Sequence, residues 1–218
     1  MSNQPLPPIP GKMIHLPRDH RGFPIPWFVE TLPSGERDFR IASSERKYAA
    51  FRNSLCWVCG GKLGRHLVFA IGPMCVVNRI TSEPPCHLEC AEFSAQACPF
   101  LSRPRMRRNE KDLPEEAHDA PGIMLKRNPG ATALYITEYY QLTRVESGHL
   151  VHLGSPERVI WYAEGKLATR AQVEASINSG YPLLLEVAQA HDGAEGVALL
   201  EQQLKQAQLL LPHEEAAE

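Results

Sequence analysis

Nowhere does this chain run to the roughly 18 uninterrupted apolar residues that a membrane-crossing helix needs, so a membrane partner is not expected. Cysteine is missing from residues 1–55 and again from 99–218; all six lie between Cys56 and Cys98. That confinement argues against a disulfide framework spread along the chain and favours a local metal module. A catalytic triad, a phosphate-binding loop and a dinucleotide fingerprint are also missing. The first residues, "MSNQPLPPIPGKMIHLP", lack the apolar stretch of a secretory leader, which sets the expected location in the cytoplasm.

Net charge is nearly absent too, at −2, but the balance conceals an asymmetry. Residues 1–111 carry 16 basic and 9 acidic side chains, whereas residues 112–218 carry 7 and 16. Such polarity suggests a part that faces nucleic acid and an acidic remainder. With 218 residues, 43% of them hydrophobic, the chain is long enough to bury a core and to form one or two domains.

What is present divides the chain into four stretches. Residues 1–53 hold an arm with seven prolines in its first 26 residues, then a hairpin turning at Ser34-Gly35 and a short amphipathic helix behind a Ser cap. Residues 54–111 hold the cysteines and a basic tail. Here "RHLVFAIG" and "MCVVNRI" read as two strands of a hairpin broken at Gly72-Pro73, and the two prolines before "CHLECAEFSAQAC" announce a helix. Residues 112–122 are an acidic linker. Residues 123–218 read as a small antiparallel sheet, with Tyr139, Tyr140, Trp161 and Tyr162 as strand residues, followed by helices. The first of these helices opens on a Thr169/Gln172 capping box and stops at Gly180. The expected class is α+β.

The chemistry gathers in two steps of the cysteine-rich stretch. Cys56 and Cys59 form a Cys-x-x-Cys step followed by Gly60 and Gly61, which free the chain to turn both thiolates onto one centre. His87 and Cys90 lie three apart at a helix start and share a face. Cys86, four before Cys90, is a substitute ligand for His87. Thiolates and imidazole suit zinc, and four protein ligands leave it no position at which to activate water, so the expected Zn2+ is structural. Cys75 and Cys98 read as small buried side chains.

The order of knuckle, hairpin and helix over residues 54–100 resembles the treble-clef zinc finger. The runs "RGFPIPWFV", "CWVCG", "IGPMCVVNRI", "EPPCHLECA", "ACPFL" and "WYAEGKLATR" are together similar to a group of uncharacterised small bacterial and phage-associated proteins, a likeness that brings no activity with it. Nucleases of the His-metal type can also be built on a treble clef, which implies a second ion at His66, Asn78 and His87. In this chain Arg65 stands where that resemblance would have an Asp, and no carboxylate is in sight for magnesium. The arginines Arg103, Arg105, Arg107 and Arg108 follow the finger helix at a density suited to phosphate. The leading expectation is a zinc-stabilised, non-catalytic protein that binds DNA or RNA. The alternatives are the metal-dependent nuclease and a protein-interaction adaptor working through the acidic half.

Overall fold

A computed structural model describes residues 6–103, 106, 107, 109, 111, 121 and 128–213. The acidic linker, except Pro121, and both Arg105 and Arg108 lie outside the described residues. No helix among the described residues is long and apolar enough to cross a membrane.

The arm is not free. A 3-10 turn at Gly11–Met13 sends Met13 and Leu16 into the core, with Leu6 and Ile9 packed beside them. The expected hairpin follows as β1 (Val29–Thr31) and β2 (Arg37–Ala42), then α1 (Ser44–Asn53), whose first turn is capped by Ser43. After the cysteine step come β3 (Leu67–Ile71), α2 (Pro73–Asn78), β4 (Ile80–Thr81), α3 (Leu88–Ala97) and α4 (Pro99–Ser102). Five further strands follow: β5 (Thr132–Thr137), β6 (Tyr140–Val145), β7 (Gly148–Leu153), β8 (Arg158–Ala163) and β9 (Lys166–Leu167). The helix α5 (Arg170–Gln208) is the last regular element among the described residues.

One expected element is overturned. Gly72-Pro73 does not turn a hairpin; Pro73 is the first residue of α2, where its fixed φ and missing N–H cost nothing. The β-branched pair Val76-Val77 is buried on a helix rather than a strand. With no adjacent partner, β3 pairs antiparallel with β5, and β4 with β7. The segment between the two ligand pairs is therefore strand, helix, short strand, which departs from the knuckle–hairpin–helix order.

Two sheets organise the core, ordered β3-β5-β8-β9 and β4-β7-β6. Every residue of β5 is buried, because both faces of its sheet are covered. Side chains alternate between faces. Leu134 and Ile136 join Val68 and Tyr162 beneath the cysteine module, while Ala133 and Tyr135 join Phe69, Ile71 and Trp161 beneath the other sheet and α5. Tyr135, fully buried, donates its hydroxyl to the Gly154 carbonyl at 2.6 Å.

The C-terminal helices also differ from expectation. Gly180 does not end a helix: Met74 packs so closely on it that an added Cβ would lie 3.0 Å from Met74 Cγ. The helix instead breaks at Gly193, whose φ of 60° and ψ of −144° are not helical. Arg170 reaches the Pro212 carbonyl and Trp161 donates to that of Leu210. A straight helix of this length would span about 58 Å, so these contacts require a hairpin of two helices. Its first turn carries the full Thr169/Gln172 capping box.

Candidate metal centre

Two elements deliver the donors. A tight loop closed by the Leu55–Lys62 bridge presents Cys56 and Cys59, and the start of α3 presents His87 as its N-cap and Cys90 one turn later. Within the loop Cys56 N–H donates to the Gly61 carbonyl at 2.7 Å and Gly60 N–H to that of Cys56 at 2.8 Å. Gly60 sits at φ 75° with the Trp27 ring against it, so a Cβ there would lie 2.8 Å from a ring carbon. Only glycine meets both demands.

The result is one cluster. The thiol sulfurs of Cys56, Cys59 and Cys90 and a ring nitrogen of His87 all lie within 4.8 Å of one another. Cys59 Sγ is 3.4 Å and Cys90 Sγ 4.0 Å from His87 Nδ1. A tetrahedral ion with bonds of about 2.0–2.3 Å sets its ligands about 3.3–3.8 Å apart, so the spacing is compatible with zinc. All three cysteines are at most 2% exposed.

The surroundings are set for thiolates. Cys59 N–H and His87 N–H each donate to Cys56 Sγ, and Gly61 N–H donates to Cys59 Sγ, all at 3.4 Å. His87 Nε2 lies 3.0 Å from the Lys62 carbonyl oxygen, which can only accept. That bond puts the proton on Nε2 and leaves the Nδ1 lone pair facing the sulfurs, the arrangement a metal-binding imidazole requires. Hydrogen bonds from Cys59 and Cys90 hold the Cys56 thiol below its ordinary range, while contact with Cys56 pushes Cys59 and Cys90 up. Three thiols this close cannot all ionise without a cation among them.

Cys86, the substitute ligand, is not part of this cluster. It is buried, and its thiol donates to the Val68 carbonyl at 3.1 Å, on the strand side of the chain. Burial drives its pKa well up, and burial also raises Cys98 and takes Cys75 to about 11, as suits thiols that pack rather than ligate. The arm closes over the centre: His15 Nε2 lies 3.1 Å from the Cys59 carbonyl, Trp27 N–H donates to that of Val58, and Lys12 pairs with Glu89.

Beside the centre runs an open groove of about 710 Å³, lined in part by Lys12, Lys62, Arg65, Arg158, His66 and His87. Arg103 and Arg107 are exposed beyond α4. The nuclease trio is not brought together. His87 belongs to the cysteine cluster, and Asn78 caps the backbone N–H of Ile80. Around His66 stand two residues that no sequence motif points to, Glu138 and Glu157. They lie 72 and 91 positions away, and only the strand pairing brings them there. No protein family, no curated protein and no solved structure matches this chain.

Proposed function

We propose that the chain is a zinc-stapled, non-catalytic binding protein whose partner is nucleic acid. The carrying observation is the donor set: four protein ligands, three of them buried thiols, with the imidazole's other nitrogen tied to Lys62. A zinc ion held by all four has no open position for water, so its contribution is to folding. It draws the arm, the Cys56–Gly61 loop and α3 onto one face of the β3-β5-β8 sheet. None of these is large enough to be stable alone.

The partner follows from charge. Lys12, Lys62, Arg65 and Arg158 line the groove alongside Glu89, Glu92 and Glu157, and Arg103 and Arg107 are exposed close by in sequence to the helix that carries Cys90. Phosphates are the anions that such spaced cations bind, with release of counterions. The test is a salt titration of DNA and RNA binding. Changing Arg103, Arg105, Arg107 and Arg108 to Ala weakens binding and lowers the slope of log K against log salt by about 0.7–0.9 for each phosphate no longer neutralised. Absence of binding at low salt would transfer the proposal to the protein-adaptor reading.

One observation favours a second reading, the metal-dependent nuclease: His66 has carboxylates beside it. Cleavage of nucleic acid with manganese that His66→Ala abolishes, the zinc being retained, would replace the binding reading with that one.

A further inference from the structure

His66 stands just before β3, Glu138 just after β5 and Glu157 just before β8. These strands are neighbours in one sheet. The pairings Leu67↔Thr137 and Ile136↔Arg158 bring the three residues to the same end of it. A ring nitrogen of His66 and one carboxylate oxygen from each glutamate all lie within 4.8 Å of one another. His66 Nδ1 is 2.7 Å from Glu157 Oε2, and Arg65 Nη2 is 2.6 Å from Glu138 Oε1.

This arrangement differs in kind from the cysteine centre. All three residues are exposed, and the donors are two hard oxygens and one imidazole. Imidazole with carboxylates suits manganese, cobalt or zinc, whereas magnesium and calcium prefer oxygen throughout. Three protein donors also leave positions for water, so an ion there exchanges with solvent. Two carboxylates held this close repel each other unless a cation stands between them. In the structure the Arg65 guanidinium fills part of that role from outside, in a close ion pair with Glu138 and at longer range with Glu157.

We propose that His66, Glu138 and Glu157 form a second, exchangeable site for a divalent transition cation, at the edge of the groove and independent of the cysteine centre. The site goes beyond the binding reading and does not depend on it. Arg65 competes with the ion for Glu138, which gives the site a signature that a surface ion-pair network lacks. Removing the arginine strengthens metal binding, while removing either glutamate weakens it.

The experiment uses the full chain with zinc already bound and Mn2+ as the probe, following the loss of the free-ion paramagnetic resonance signal on titration. The expected result is one Mn2+ per chain with the zinc content unchanged. Glu138→Gln and Glu157→Gln each weaken it about tenfold or more, and Arg65→Ala tightens it. These side chains are exposed, and a circular dichroism spectrum confirms that each variant is folded. The proposal is overturned if the wild type binds no Mn2+ at millimolar concentration. It is equally overturned if the glutamine variants bind as the wild type does, or if Arg65→Ala brings no tightening.

Discussion

The Trp27 indole stands where a Cβ on Gly60 would have to go, closing from the arm side the loop that presents Cys56 and Cys59. The contact makes the geometry of the metal loop a property of the arm as well. Gly60→Ala must both strain a positive φ and displace the indole, at a cost of about 2–4 kcal/mol. Chemical denaturation should show that loss, together with weaker zinc retention. Full stability in the alanine variant would mean that the indole yields freely.

The ligand set separates from its neighbour by substitution. Cys90→Ser should cost more metal affinity than the roughly 10–100-fold typical of a supporting residue. Cys86→Ser should leave one zinc per chain and reduce stability by about 1 kcal/mol, since a hydroxyl can still donate to Val68. Elemental analysis of the two purified variants checks both outcomes, and loss of zinc from the Cys86 variant alone would reverse the assignment.

Removing the metal should lower stability by several kcal/mol and release the arm. Trp27 packs on the loop at Gly60, and Trp57 lies within it, stacked on Phe28 with ring centroids 4.9 Å apart. Chelation should therefore shift the tryptophan emission and open the arm to protease. Lower pH should act in the same direction, because the thiols must lose their protons to bind. An unchanged melting temperature after chelation would show that the centre is not a staple.

Asn128 offers a test far from the metal. It is 2% exposed, and its side-chain amide donates to the carbonyls of Phe100, Leu101 and Arg103 at 2.7–3.0 Å. It thereby satisfies the end of α4 from across the chain. Asn128→Ala should cost about 1–2 kcal/mol by leaving the partly buried carbonyls at the end of α4 without their donor. A thermal melt is sufficient to measure it.

Local chemistry was legible in the sequence, and pairing across distance was not. The Ser43 cap, the Thr169/Gln172 box and the turn at Gly35 each depend on residues a few positions apart, and each stands where it was expected. So do the four donors, whose two steps are local motifs even though they meet across 28 residues or more. Gly180 misled because its neighbour is Met74, and Gly72-Pro73 because the same dipeptide can turn a hairpin or start a helix. Glu138 and Glu157 gave no sign at all, since strand register alone sets them beside His66.

The pairing of β3 with β5 also governs how the chain can be made. Leu67 must wait for Thr137, and Ile71 for Ala133, before either meets its partner. A ribosome that has released the cysteine module has therefore not yet released the strand that covers Val68, Phe69 and Ile71. Until it does, β3 presents an unpaired apolar edge, the kind that recruits other chains. Early metal capture can close the loop and seat the arm, yet the module remains adhesive until the second half arrives. A fragment cut at the basic stretch would carry every zinc donor and still be expected to aggregate.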